Sequence, residues 1–171
     1  MPLTPFHLGP GLLIGLLLFS WLHLPTFLLA NMLPDLEPLA ALTVCADCEL
    51  HGFWHSLAGA SILAAVLSIG VILARKPIEK LSELFRVKQE VFWKNVLPAA
   101  FLGTFLHVLL DSTLYPEMKP LYPLELNPFY IGSTAFAPVY VLCTILFVAG
   151  LVLYAFKARK ITAQEKPLLI S

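Results

Sequence analysis

The chain has 171 residues, of which 58% are hydrophobic and 13% are charged, and its formal net charge is zero. Soluble domains carry about 25% charged residues, so this composition excludes an ordinary soluble domain and is typical of an integral membrane protein. A neutral chain offers no electrostatic attraction for nucleic acid, so no nucleic-acid partner is expected. We expect residues 1–171 to form a single integral membrane domain with the lipid bilayer as its partner.

Two short apolar stretches open the chain, at 8–19 and 26–33, with a turn at Pro25 between them. As helices they would cover about 18 and 12 Å, which is short of the roughly 30 Å hydrocarbon core of a bilayer. The region is therefore either one long span broken near Pro25 or a short helical hairpin, 7–34. The hairpin is favoured because it returns Asp35 to the side on which His7 begins.

Three full transmembrane helices are predicted farther along, at about 56–74, 96–111 and 135–156, because each is a long apolar run. The segment 34–52 and the proline-rich segment 116–128 are predicted to be loops. The basic loop 75–94 has apolar residues at helical spacing, which indicates an amphipathic surface helix. The predicted fold is an all-α polytopic membrane bundle, with a short N-terminal helical hairpin and three full transmembrane helices.

Ten of the eleven Lys and Arg residues lie in two segments, six in the basic loop 75–94 and four after the last predicted span. By the positive-inside rule, both segments face the cytoplasm of a multi-pass cell-membrane protein. The opposite, extracytoplasmic side then holds the loops with the candidate ligands and their neighbours: His7, Asp35, His51, His55, Asp111 and Glu125. Any site formed by these residues is expected to open to that side.

Two pairs of side chains have the spacing of metal ligands. His107 and Asp111 are four residues apart, as are His51 and His55, so that on a helix each pair lies on one face and can share a metal ion. A carboxylate at a helix C-terminus, such as Asp111, needs a compensating cation. The alternative for the first pair is that His107 is a hydrogen-bonded core histidine and Asp111 a helix-terminal aspartate. The alternative for the second pair is that His51 and His55 are ordinary interfacial histidines.

Other polar residues have weaker signals. Asp35 is either a ligand or a solvated loop aspartate, and His23 is expected to be structural because it lies at the other end of the hairpin. Cys45 and Cys48 form one C-x-x-C. Without a second pair of ligands, this motif is a weak signal for zinc binding. A disulfide between the two cysteines would need an oxidising compartment. Two cysteines without a special role are therefore favoured.

The ordered set of motifs resembles a known family. A histidine near the N-terminus is followed by LPD-L at 33–36, HGFWHS at 51–56 and HVLLD at 107–111. This order is similar to that of the YdjM-like, predicted membrane-bound metal-dependent hydrolases, over about residues 4–130. Here Glu37 replaces a second aspartate, and Gly52-Phe53-Trp54 replaces a part that usually contains an arginine.

The motifs are also similar, more distantly, to those of zinc-dependent bacterial phospholipases C. That resemblance implies a metal site whose ligands are His7, Asp35, His55, His107 and Asp111. It implies one or two divalent ions, with zinc expected.

The expected function is a divalent-metal-dependent hydrolase that acts on a phosphoester or lipid-like substrate, with His51 or Glu37 as the general base. The alternative is a non-catalytic membrane protein with a structural metal site, or a small transport or scaffold protein. An open coordination position favours the enzyme, and a closed shell of four protein ligands favours the structural site.

Overall fold

The fold of the described residues is entirely helical. The computed structural model describes residues 6–44 and 49–165, with side chains up to residue 159, so Cys45 and Cys48 lie outside the described residues. Its helices are α1 (Leu8–Leu17), α2 (Leu24–Ala30), α3 (Leu36–Val44), α4 (Leu57–Leu73), α5 (Arg75–Leu84), α6 (Trp93–Ser112) and α7 (Phe136–Glu165). Short 3₁₀ turns occur at Leu33–Asp35, Phe53–His55 and Ser133–Ala135, and no strand occurs in this part of the chain. The prediction of an all-α membrane protein is confirmed.

Three helical segments of the described chain are long and apolar enough to cross a membrane: Leu24–Val44, Trp93–Ser112 and Ser133–Arg159. The last two coincide with the spans predicted at 96–111 and 135–156. Helix α4, where a span was predicted at 56–74, has 17 residues and reaches spanning length only together with α5, from which an 85° bend separates it. Within the described residues there are thus three candidate spans, or four if the bent pair counts as one.

Helix α3 lies inside the segment 34–52, which was expected to be a loop. Leucine and alanine, which are strong helix formers, dominate its sequence LEPLAALTV. Pro38 is tolerated because it lies in the first helical turn, where no backbone N–H is needed. The second limb of the hairpin therefore does not end at residue 34 but continues through the Leu33–Asp35 turn into α3.

Helix α6 is the centre of the packing, since α2 and α4 both lie against it, while α1 lies against α7. Small residues allow these close approaches. A Cβ atom placed on Gly103 of α6 would lie 2.5 Å from Ala30 Cβ and 2.8 Å from the Phe27 carbonyl oxygen of α2. Close approach through small residues is a common way for helices to associate in lipid.

Hydrogen bonds connect several segments at the end of the bundle near the basic loop. Gln89 donates to the carbonyl oxygens of Phe19 (2.6 Å) and Leu22 (2.8 Å) and accepts from the Leu24 N–H (2.8 Å). Lys157 Nζ donates to the Leu16 carbonyl at 2.7 Å. His23 also belongs to this end, because its backbone N–H bonds to the Asn95 carbonyl at the start of α6. The residues singled out as candidate ligands lie at the other end of α6.

The Gly103 contact predicts a difference between two alanine variants. Gly103→Ala is expected to lower the free energy of unfolding by about 1–3 kcal/mol, because the new methyl group forces α2 and α6 apart. Gly70→Ala is the matched control, since nothing lies within 4 Å of its Cβ position. Alanine is also the better helix former, so Gly70→Ala is expected to leave stability unchanged or slightly raised. Thermal unfolding in detergent micelles, followed by circular dichroism, measures both; equal transition temperatures would contradict the packing described.

Candidate metal centre

The five predicted metal ligands come from four separate parts of the fold and meet at one end of the bundle. His7 immediately precedes α1, Asp35 ends the 3₁₀ turn after α2, and His55 ends the turn before α4. His107 and Asp111 lie in the last turns of α6. Two groups have ligand atoms within 4.8 Å of one another and could hold a metal ion: His7, Asp35, His107 and Asp111, and His51, His55 and Asp111.

Asp111 is the residue that the two groups share. Its Oδ1 lies 3.1 Å from His7 Nε2. Its Oδ2 lies 3.3 Å from His107 Nε2 and 3.9 Å from His55 Nε2. Asp35 approaches from the other side, with Oδ1 at 3.7 Å from His107 Nε2. Ring nitrogens from three segments therefore face the two carboxylates.

These side chains are almost completely removed from solvent. The exposed fraction is 3% for His7, 1% for His55 and Asp111, and 0% for His107. Several of their buried polar atoms have no hydrogen-bond partner: both ring nitrogens of His7, Nε2 of His55, Nε2 of His107, Asp35 Oδ2 and Asp111 Oδ1. Buried polar atoms are rarely left unpaired in proteins. Their grouping around Asp111 is what a cation-binding site requires.

Hydrogen bonds made by the Nδ1 atoms of two imidazole rings fix the orientation of these rings. His107 Nδ1 lies 2.7 Å from the Asn31 carbonyl oxygen. A carbonyl oxygen can only accept, so Nδ1 donates the proton and the neutral ring presents the lone pair of Nε2 to the cluster. His55 Nδ1 lies 2.7 Å from Glu37 Oε2 and is held in the same way. Metal-binding histidines commonly have such a partner, which sets both tautomer and ring orientation.

Glu37 also fixes the backbone that carries His55. Its carboxylate accepts from the N–H groups of Gly52 (3.1 Å) and Trp54 (3.3 Å). A Cβ atom at position 52 would lie 2.7 Å from Glu37 Oε1, so a larger residue there would displace this carboxylate. Three donors converge on Glu37, which is an arrangement suited to positioning His55.

His51 lies beside the cluster and has its own carboxylate partner. Its Nδ1 is 3.1 Å from Glu117 Oε1, and its ring centroid lies 5.0 Å from that of His55 and 4.3 Å from that of Tyr115. Burial lowers the pKa of His51, with a further contribution from the neighbouring His55. The imidazole is accordingly favoured in its neutral form, which can accept a proton.

Two hydrogen-bond partners of these histidines, Glu117 and Asn31, are not predictable from the sequence. Glu117 is separated from His51 by 66 residues, and nothing in the proline-rich segment marks it out. Asn31 takes part through its backbone carbonyl, which every residue type has, so no sequence signal could have identified it.

Comparison with known proteins agrees with the resemblance carried by the motifs. The family model described as YdjM inner membrane protein matches residues 1–170. The chain belongs to the YdjM inner membrane protein family. This membership, together with the apolar helices, supports a location in the cell membrane.

No curated protein and no solved structure matches the chain. The more distant similarity to zinc-dependent phospholipases C therefore gains no support from these comparisons.

Because Asp111 belongs to both ligand groups, its replacement is expected to remove metal from the whole centre. Asp111→Asn keeps the size of the side chain but removes its charge, and is expected to weaken metal binding by at least about tenfold. Glu125→Gln is the control, since this carboxylate is 77% exposed and lies outside both groups. Elemental analysis of the purified proteins, with titration of added Zn²⁺, gives the measurement. Equal metal content in the two variants would contradict the site.

Proposed function

We propose that this chain is a membrane-bound, divalent-metal-dependent hydrolase that acts on a phosphoester. The ligands in this proposal are His7, Asp35, His55, His107 and Asp111, and they hold one or two ions. One observation carries the proposal: buried polar atoms without a hydrogen-bond partner come from four parts of the fold and lie in two ligand groups that share Asp111.

Zinc is the proposed ion because the donor atoms are imidazole nitrogens together with carboxylate oxygens. This set suits Zn²⁺, whereas Ca²⁺ and Mg²⁺ prefer oxygen ligands alone. Such an ion, when bound, polarises the phosphoryl group and activates water as a nucleophile near neutral pH. Asp111 belongs to both ligand groups, with Oδ1 facing His7 and Oδ2 facing His107 and His55, which is compatible with either one ion or two.

A cavity next to the cluster favours an enzyme over a structural metal site. The cavity has a volume of about 340 Å³ and is lined by His51, Ser56, Lys119 and Tyr122, among others. In a structural site, protein ligands occupy every coordination position of the metal. A catalytic site leaves one position open, and substrate must reach that position through a space in the protein. In the hydrolase the scissile group would reach the centre through this cavity.

Of the two candidate general bases, His51 is the better placed. Glu37 already accepts three hydrogen bonds, from His55, Gly52 and Trp54, and is proposed to position His55 instead. His51 lines the cavity, and Glu117 orients its ring through Nδ1. In this role Nε2 takes the proton from the attacking water while the Glu117 carboxylate stabilises the imidazolium that forms.

The roles of His51 and Glu117 are tested by substitution. His51→Gln is expected to lower kcat by about 10²–10⁴-fold, the usual contribution of a general base, with metal content unchanged. Glu117→Gln is expected to have a smaller effect of the same kind, because it removes only the orienting charge. The assay is hydrolysis of a panel of phospholipids and soluble phosphodiesters, with and without chelator. Activity that survives chelation would contradict the proposed function, and loss of metal in His51→Gln would make His51 a ligand.

We also propose that the centre opens to the extracytoplasmic side. The support is that the basic segment and Lys157 lie at the end of the bundle opposite the ligand cluster, and basic segments are retained in the cytoplasm. The variants Glu125→Cys and Glu83→Cys test on which side of the membrane each end of the bundle lies. The native side chains at these positions are 77% and 54% exposed. In a variant without the three native cysteines, a membrane-impermeant thiol reagent added to intact cells is expected to label position 125 only. Labelling of position 83 alone would reverse the orientation.

A further inference from the structure

An apolar groove lies beside the metal centre, between α3 and the start of α4. It has a volume of about 500 Å³, and Leu33, Ala40, Val44, Trp54 and Leu63 contribute to its walls. We call this space the α3–α4 groove. Both of its walls belong to segments that are apolar enough for the membrane, Leu24–Val44 and the bent pair that begins at Leu57.

One end of the α3–α4 groove is polar, and that end adjoins the metal centre. Glu37 contributes to the lining, and its Oε2 lies 2.7 Å from His55 Nδ1. Pro34, which also lines the groove, immediately precedes Asp35 in the chain. A molecule seated along the groove would therefore place one end next to the proposed ligands.

The polar cavity of about 340 Å³ meets the groove at the segment before α4. Gly52 and Glu49 line both spaces. On the cavity side the lining includes His51 and the cationic Lys119, whose Nζ is 3.5 Å from Glu125 Oε1. An apolar space thus joins, beside the metal centre, a polar space whose lining includes one lysine, one histidine and the carboxylate of Glu49. This arrangement matches a molecule with a hydrocarbon chain at one end and an anionic group at the other.

Water is a poor occupant of the α3–α4 groove. A buried water needs two to four polar partners, and apart from Glu37 and Glu49 at its polar end the groove has hydrocarbon walls. Hydrocarbon is available throughout the membrane and fills such a space without leaving hydrogen bonds unmade. The polar end, in contrast, leads into the polar cavity, whose lining includes Lys119.

We propose that the α3–α4 groove binds one acyl chain of a membrane phospholipid, whose phosphate lies in the polar cavity beside His51 and Lys119. The assignment of this phospholipid as the substrate rests on the proposed hydrolase function, but its binding does not. In the hydrolase, the groove selects long-chain phosphoesters over water-soluble ones, and it delivers them from the membrane and not from the aqueous phase.

Two tryptophan variants of α3 test the groove. Ala40→Trp fills it from an exposed position, so the core of the bundle is not disturbed. Leu39→Trp is the matched control, because Leu39 is 56% exposed on the same helix and does not line the groove. The first measurement is phospholipid retained per chain after detergent purification, by mass spectrometry, with circular dichroism and metal content to verify that both variants are folded.

The native chain and Leu39→Trp are expected to retain about one phospholipid each, and Ala40→Trp at least about tenfold less. Equal retention in the two variants, or no retained lipid in the native chain, would overturn the groove as a lipid site.

A second measurement separates this inference from the proposed function. For the native chain and each variant, kcat/KM is compared for a long-chain phospholipid and for a short-chain analogue with the same headgroup. Ala40→Trp is expected to lower the value for the long-chain substrate by at least about tenfold and to leave the short-chain value unchanged. If the metal-loaded native chain hydrolyses neither substrate, the hydrolase proposal fails. Lipid retention then still shows whether the groove binds phospholipid. If both substrates are hydrolysed and Ala40→Trp affects them equally, the groove is not the substrate site.

Discussion

The burial of Asp111 among three imidazole rings is the constraint on which the rest of the structure depends. Removing a carboxylate from water costs several kcal/mol unless a cation or hydrogen bonds compensate it. Among the described ion pairs, none joins a lysine or arginine to Asp35 or Asp111. The C-terminal end of α6 adds partial negative charge at the same place. Protons on the histidines or a metal ion must therefore supply the positive charge, and the unpaired lone pairs favour the metal.

The helix packing explains how distant segments deliver ligands to this carboxylate. Gly103 brings α2 against α6, so that the Asn31 carbonyl reaches His107 and the following turn presents Asp35. Gly9 has the same function between α1 and α7, because a Cβ atom there would overlap the Cys143 carbonyl oxygen. Small residues thus set the distances between backbones, and those distances set the ligand geometry. A loss of close packing at either glycine should therefore affect metal binding as well as stability.

The sequence was informative where the signal is local. Hydropathy predicts the helical membrane class, and the four-residue spacing of His107 and Asp111 places both on one face of α6. Lysine and arginine counts predict that the ligands gather at the end opposite the basic segment, as the structure shows for the described residues. Long-range contacts such as His51–Glu117 have no local signal. Helix α3 was missed because Pro38 and the acidic residues of 34–52 are typical of loops, although a proline in a first turn is also typical of helices.

In the proposed enzyme, Glu37 would connect metal binding to substrate binding. Its carboxylate holds His55 and the backbone of the Gly52 turn, and the same side chain forms the polar end of the α3–α4 groove. An acyl chain that fills the groove would remove water from around Glu37, and a hydrogen bond between charged or polar groups is stronger where water is excluded. The proposed lipid would then tighten the contact that orients His55. In such an arrangement the centre would be best ordered when a long-chain substrate is present, and the apolar groove would contribute to the reaction through the position of one imidazole ring.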